Sequence, residues 1–498
     1  MTSPATSPVN STVTSPATRT APSPTTAPPA GPAASNRLTY DDDLFLRTRR
    51  VLGVAVVNQT VWRLPAPLDL DALRALHRGL AEGPLQRVVR PGRLPGARAR
   101  WSASTTLPDL LIGSAPVPEN YVLAWADEQA QVSLDPERGP TWALAAAPTT
   151  SGGTVLSLVT SHVVADGGMH VGALEAAVAS AAARGAFVGG YAEGAPSSDS
   201  RRLPKEGERI RTGLVADLRD ATEQARAAVG GLRRMARQGP VPPIMAQQSA
   251  DRPRPAPRPD DGEPAHPPIV VVDTDASTWH RAAHAAGGTA NSLLIAVCTE
   301  ILLAAGAATA GMPVRVSLPV SLRQPGDLRS NATSGVSIAV DTTVTPAPER
   351  AGVIADMGQI RARAKAEFAA LTSGTRVDTL GTLKPLMQMV PDAVAKRAAR
   401  DGTAPLCLAS NLGRLPTAFA APLGTPASSV LMRGVTQGLT RGRLRQMRGG
   451  LDSWWSEHNG IATLAVLGLD EERLGTAAQV RAAVEAVYAR HRLPVRFW

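Results

Sequence analysis

Along the 498-residue chain the spacing of apolar positions changes several times, and each change predicts an element. "VLGVAVVNQTVWRL" (51–64) is Val-rich with partial alternation, as in a strand, and "LDLDALRALHRGLAE" (68–82) repeats its leucines at helical spacing. "TVLSLVTS" from Thr154 predicts a second strand, and the Ala-rich "GGMHVGALEAAVASAAARG" a helix directly after it. In residues 201–237, Ile210, Leu214, Leu218, Ala225, Val229 and Leu232 form one helical stripe among nine Arg and one Lys set against five acids. That pattern favours a helix packed on its domain by the stripe over one that docks a membrane or a carrier protein. "ADRPRPAPRPDDGEPAHPP" (250–268) reads as an extended linker. Beyond it come strands at "IVVVDTD", "VRVSLPVSL" (314–322), "SNATSGVSIAVDTTV" (330–344) and "GIATLAVLGLD", with helices from Asn291 and over 349–374. The expected class is α/β. A Pro/Ser/Thr-rich tail (1–37) precedes a first half (38–200), a basic helix with linker (201–268) and a second half (269–498).

Composition supports this division. An apolar content of 43% suffices for two cores, and the 3% of aromatic residues points to no particular function. The formal charge of +10, from 52 Lys and Arg against 42 Asp and Glu, favours anionic partners: nucleotides, phosphorylated cofactors, acidic carrier proteins or a membrane surface. Nucleic acid is disfavoured, because no zinc-finger spacing, RNA-binding aromatic signature or heptad-linked basic region occurs. Cys298 and Cys407 both lie in apolar runs and read as buried thiols in a reducing compartment. The N-terminal stretch has no apolar segment of the kind a secretory signal needs. Residues 292–311 alone could pass for a membrane span, but Glu300 and many small residues favour a core helix. The expected location is cytoplasmic, with peripheral membrane contact left open.

Candidate chemistry centres on "LVTSHVVADGGMH" (158–170). Of the eight histidines only His162 is followed four residues later by Asp, and it stands where a strand hands over to a helix. A histidine with a pKa near neutrality can take a proton from a hydroxyl or amine attacking an acyl carbon and return it to the leaving group. A thioester needs no further nucleophile, and no Gly-x-Ser-x-Gly elbow is present. Asp166 could orient the imidazole or brace its loop, and Gly167 and Gly168 permit a sharp turn. The plain alternative is a satisfied histidine beside a helix-capping Asp. His280 and His284 share a helix face but lack a third ligand, so no metal site is expected. Trp454, Trp455 and His458 read as packing residues rather than a channel lining. No phosphate-binding loop or dinucleotide fingerprint occurs.

"SHVVADGG" resembles the His-His-x-x-x-Asp-Gly signature of the CoA-dependent acyltransferase superfamily, which includes peptide-synthetase condensation domains, polyketide-associated acyltransferases and wax ester synthase/diacylglycerol acyltransferases. Ser161 replaces the first histidine, and His162 holds the place of the one that acts. "GGTANSLLIAVCTEILLAAG" is similar to the wax ester synthase helix that begins Asn-Asp, with Ser292 for Asp. "SLPVSLRQPGDLRSNATSG" resembles its Pro-Val-Ser-x-Arg segment and downstream Asn, and "LASNLGRLP" its Ser-Asn-x-Gly element. The resemblance runs from about residue 38 to the C-terminus. It implies two chloramphenicol-acetyltransferase-like halves in a V around a central tunnel, with His162, Asp166 and Gly167 at the catalytic motif. It also implies that Arg323 pairs with Asp166, and that Ser161, Asn331, Ser410, Asn411 and Gly413 lie along the substrate tunnel. The implied activity carries an acyl group from an acyl-CoA or acyl-carrier-protein thioester to a small alcohol or lipid acceptor. CoA or phosphopantetheine then enters as substrate, with no cofactor. An accessory protein without catalysis, or a free-standing amide-forming condensation enzyme, are the rival readings.

Overall fold

The computed structural model describes residues 36–186, 213–238, 262–324, 326–342, 356–373, 379–393 and 405–498. The Pro/Ser/Thr tail, residues 201–212 of the basic region and most of the Pro-rich linker lie outside them.

The first half opens with helix α1 (Tyr40–Leu52), capped by Thr39 and Asp42, each side chain accepting from the other's backbone N–H. Strand β1 (Ala55–Leu64), helix α2 (Leu70–Glu82), β2 (Arg87–Arg90), β3 (Arg100–Ala103), β4 (Leu110–Ile112), helix α3 (Val122–Ala130), β5 (Trp142–Pro148), β6 (Thr154–Ser161) and helix α4 (Gly167–Ala183) follow. The leucines of α2 that repeat at helical spacing, Leu73, Leu76 and Leu80, are its buried ones, and α4 lies against α2. Gly79 lets the two backbones close, since a Cβ there would meet the carbonyl oxygen of Ala177 at 2.6 Å.

After helix α5 (Gly213–Gln238) the second half supplies β7 (Ile269–Asp275), β8 (Val314–Ser321), β9 (Thr333–Val340), β10 (Cys407–Arg414), β11 (Ser429–Gln437), β12 (Leu451–His458), β13 (Ile461–Gly468) and β14 (Arg496–Phe497). Seven of these strands form a mixed sheet in the order β14-β7-β13-β12-β10-β8-β9. The exception is β11. It crosses to the other sheet, whose order is β11-β1-β6-β5-β4, and pairs antiparallel with β1 from Ala55 opposite Gln437 to Arg63 opposite Ser429. A piece of the late sequence thus completes the early sheet.

Each sheet has its own apolar core. One gathers Trp62, Leu73, Trp142, Leu158 and Leu174, with Phe419 and Val430 arriving from the crossover segment. The other gathers Val272, Trp279, Leu294, Val316, Trp455 and Tyr488. A third cluster, with Val61, Val155 and Leu431 against Ile269, Val271 and Ala465, ties the two together. Helix Ala290–Ala304 runs through the second core with Ser292 to Leu302 all buried. Glu300, the charge within that apolar run, faces His491 Nε2 at 3.2 Å, which gives a buried carboxylate the partner it requires. No single described helix is long and apolar enough to cross a membrane.

Helix α5 departs from the expectation. Its buried positions are Asp217, Asp220, Gln224, Ala228 and Gly231, while Leu214, Leu218, Val229 and Leu232 stand exposed. The stripe that was expected to pack on the domain faces outward. Arginines of the first half explain the inversion: Asp217 takes the Arg37 guanidinium and the Arg93 N–H, and Asp220 is bridged by Arg98 through its backbone N at 2.7 Å and its guanidinium at 2.7 Å.

Candidate active site

Strand β6 ends at Ser161 and α4 starts at Gly167, so His162 to Asp166 form the connecting turn. His162 N donates to Val56 O (2.9 Å), Asn58 Nδ2 to Ala165 O (2.7 Å) and buried Arg87 Nη2 to Val164 O (2.9 Å). The other Arg87 terminal nitrogen donates to Leu328 O (3.2 Å), and the guanidinium lies 4.7 Å from the centre of the Trp101 ring. Burial pulls its pKa down to about 10, which leaves it cationic at neutral pH. Arg87 thus pins the motif turn to the loop between β8 and β9.

Asp166 is a brace. Its Oδ1 accepts from Met169 N (2.8 Å), capping α4, and from Arg323 Nη2 (2.7 Å). Its Oδ2 accepts from Ala332 N (2.7 Å) and Thr333 Oγ1 (3.0 Å). Its own N–H donates to Ser330 O (2.9 Å). Four donors converge on one buried carboxylate and fasten the first half to the β8–β9 loop of the second. Arg323 completes the clamp, since Nη1 donates to Asp327 O and Arg329 O, both at 2.9 Å. Asp166 thus caps α4 and accepts from Arg323 with the same oxygen.

The orientation of His162 follows from Asn331, which is buried at the start of the segment into β9. Its amide nitrogen lies within reach of three acceptors: Asp42 Oδ1 (2.8 Å), His162 O (3.0 Å) and Val163 O (3.3 Å). The amide oxygen must then be the atom 3.1 Å from His162 Nδ1, and an oxygen there requires Nδ1 to carry the proton. Nε2 is left with its lone pair and has no hydrogen-bond partner among the described residues. Burial holds the histidine below the ordinary value, outweighing the Asp166 charge and the Asn331 hydrogen bond, so the neutral form dominates at pH 7.

Two residues of α1 that the sequence reading did not single out complete this shell. Asp42, fully buried, accepts both N–H groups of Asn331, from the backbone at 3.0 Å and from the side chain at 2.8 Å. One turn on, Phe45 stacks on the imidazole with ring centroids 3.9 Å apart and planes 24° apart. Behind the turn, His170 is buried between Thr60 Oγ1 (2.8 Å) and Thr160 Oγ1 (2.9 Å), and burial drives its pKa to about 3, so it is a neutral packing residue.

Gly167 and Gly168, both read from the sequence as permitting the turn, differ in what surrounds them. Gly167 does not adopt a left-handed conformation, and a Cβ there would touch only Leu412 Cδ2, at 3.4 Å. A Cβ on Gly168 would lie 2.9 Å from Arg323 Nε, whose guanidinium is pinned on both sides. Gly168→Ala is therefore expected to loosen the Asp166–Arg323 clamp and lower the melting temperature by several degrees, with Gly167→Ala near neutral; paired thermal melts check the contrast.

Leu412 marks where β10 reaches the motif. Next to it, Gly413 has φ +71°, a left-handed backbone natural to glycine, in a bulge where its N–H donates to Asn411 Oδ1 (2.8 Å). Asn411 Nδ2 donates to Asn291 Oδ1 (3.1 Å), so the Asn291–Ser292 helix start and the Ser410–Asn411–Gly413 element are neighbours. Ser161 is buried at the end of β6, and Ser410 is buried opposite Trp454. The structure thus joins His162, Asp166, Arg323 and Asn331 directly, and sets Asn411 and Gly413 beside them through Leu412. It places other residues elsewhere: His280 pairs with Glu457 (2.8 Å), Trp455 packs on Trp279 (5.8 Å), and Trp454 lies against Gly434 of the crossover strand. No cluster of three or more metal-ligating side chains occurs among the described residues.

No protein-family model and no curated protein matches the sequence. Solved structures do match the fold. The first condensation domain of the calcium-dependent antibiotic synthetase, solved with a substrate analogue, superposes with a TM-score of 0.54 at 15% identity, over 93% of this chain and 100% of that one. The epimerization domain from the third module of tyrocidine synthetase B gives 0.51 at 13% identity, over 92% and 97%. The condensation domain of the Monacolin K polyketide synthase gives 0.51 at 12%, over 92% and 96%. Likeness at such identities concerns the path of the chain, and on that ground this protein has the α/β fold of the condensation domains, the fold expected of the CoA-dependent acyltransferase superfamily.

Proposed function

We propose that the protein is an acyltransferase in which His162 is the general base, moving an acyl group from a CoA or carrier-protein thioester to an alcohol. One observation carries this reading: Asn331 Oδ1 accepts from Nδ1–H of a neutral imidazole, which fixes the tautomer and leaves Nε2 basic and unengaged. An acceptor hydroxyl attacks the thioester carbonyl carbon while its proton passes to Nε2. The tetrahedral adduct then collapses, the C–S bond breaks, and the departing thiolate takes the proton back from Nε2, so the histidine ends as it began. Asp42, through Asn331, and Phe45 hold the ring. Asp166 and Arg323 are positioning residues, since their hydrogen bonds are spent on backbone, on the Thr333 hydroxyl and on each other. The substitution at Ser161 leaves this proton path intact.

An amine acceptor with a carrier-bound donor is the second reading, favoured by the peptide-synthetase origin of two of the solved neighbours. The two separate in one assay: thiol release from acyl-CoAs and from acylated carrier protein, each with alcohols and with amines. Acceptor-dependent release from free acyl-CoA with alcohols supports ester formation, release from carrier protein with amines alone replaces it with condensation, and silence in all four arms overturns acyl transfer. In whichever arm turns over, kcat/KM should rise with pH along a limb whose midpoint lies below 6.5, because the unprotonated histidine is the reactive form and its pKa is depressed. A limb at or above 6.5 contradicts the assignment.

A further inference from the structure

The outward face of α5 is built in two adjoining rows. Leu214, Leu218, Val229 and Leu232 fall within about 60° of one another around the helix, at 100° per residue, and are 41 to 61% exposed. Val215, 64% exposed, widens this row on the side of a second one, Arg219, Arg226 and Arg233, seven residues apart and all exposed. None of these three arginines makes an ion pair with a described residue. The helix carries three acids among its described residues: Asp217 and Asp220 are turned inward onto Arg37, Arg93 and Arg98, and Glu223 alone stays exposed, at the far edge of the arginine row, so the outer face keeps a net positive charge. Arginine satisfaction on the inside thus forces the apolar row to the outside.

The patch continues beyond this helix. Ala221, at the domain edge of the row, and Met389, at the end of helix Thr379–Met389, both border Gly96: a Cβ there would lie 3.9 Å from the Ala221 methyl and 3.5 Å from Met389 Cε. Met387 and Met389 are 41% and 38% exposed. An exposed apolar surface edged by arginines across two helices exceeds the scattered single residues normal on a protein surface.

We infer that this face seats the protein on an anionic lipid bilayer, with the apolar row in the acyl–headgroup boundary and Arg219, Arg226 and Arg233 at the phosphates. A contiguous aliphatic and methionine row beside guanidinium groups matches that boundary. An acidic protein partner would need cations but not so long an apolar row. The position has a consequence for the site. The helix Thr379–Met389 is fastened to α1 by Lys384 on Asp41 (3.2 Å) and by the Arg47 guanidinium on Gln388 O and Val390 O, and α1 presents Asp42 and Phe45 to Asn331 and His162. The docking face is therefore one helix away from the base, and resting on the acyl-transfer reading, the class of acceptor it favours is a lipid alcohol drawn from the bilayer.

Flotation of the full chain with vesicles tests this, using phosphatidylcholine alone and phosphatidylcholine mixed with phosphatidylglycerol. Wild type should partition onto the mixed vesicles and dissociate as salt is raised. The pairs Leu218→Ser with Val229→Ser and Arg226→Glu with Arg233→Glu should each weaken partition at least about tenfold. All four side chains are exposed, so thermal melts should match wild type. Equal binding by wild type and both variants, indifference to lipid charge, or binding to an acidic carrier protein without any to vesicles overturns the inference. Partition is read without an acyl donor, so failure here leaves acyl transfer untouched, and failure of acyl transfer leaves partition measurable.

Discussion

His162→Ala should abolish acceptor-dependent thiol release, a loss of about a hundredfold to ten-thousandfold, while leaving the melting temperature within a few degrees of wild type. Both halves of that expectation come from the site. The imidazole makes one side-chain hydrogen bond, to an Asn331 whose amide nitrogen keeps Asp42 and two carbonyls as partners after the ring is gone. What the fold loses is the stack on Phe45 and one bond of about 1 kcal/mol. What the reaction loses is its only identified proton acceptor. Parallel thiol-release assays and melts decide the matter. Retained turnover in the folded variant removes the base assignment, and a collapse in stability to match the lost activity makes the residue structural.

Asp166→Ala should behave in the opposite manner, with stability falling first. Removing the carboxylate leaves the buried Ala332 N–H and the half-buried Thr333 hydroxyl without their acceptor, takes the counter-charge from the half-buried Arg323 guanidinium and uncaps α4. Breaking a buried ion pair by deleting one partner costs about 3 to 5 kcal/mol. Denaturant titration should show that drop. Asp166→Asn, which keeps the volume and part of the hydrogen bonding, should recover part of the stability. A proton carrier would show the reverse: both variants stable and both inactive. A drop below about 1 kcal/mol for the alanine variant would contradict the brace.

The sequence disclosed those parts of the site that depend on neighbours along the chain. The end of β6 and the start of α4 were legible because the period changes from alternation to helix within the motif itself. The pairing of Asp166 with Arg323, 157 residues apart, was available only through the family resemblance. Asp42 was not legible at all. Three acids in a first turn are what any helix N-terminus favours, and nothing local shows that one of them will meet an asparagine 289 residues later. The periodicity of α5 gave its helix but not which face turns inward, because the deciding arginines belong to positions 37 to 98. Gly167 and Gly168 are alike to any reading of sequence, and only the position of the Arg323 side chain separates them.

The crossover of β11 imposes an order on biosynthesis. β1 is complete at Leu64, but its outer neighbour ends at Gln437, 373 residues later. At roughly 5 to 20 residues per second, the ribosome takes on the order of twenty seconds to over a minute to make that stretch. Throughout that interval the nascent first sheet has an open edge of unpaired N–H and C=O groups, the kind of surface that pairs with a neighbouring chain. Its core also lacks Phe419 and Val430, and Trp62 Nε1–H waits for the carbonyl of Phe419. The early half therefore cannot complete its sheet or its core until the late strand has been made.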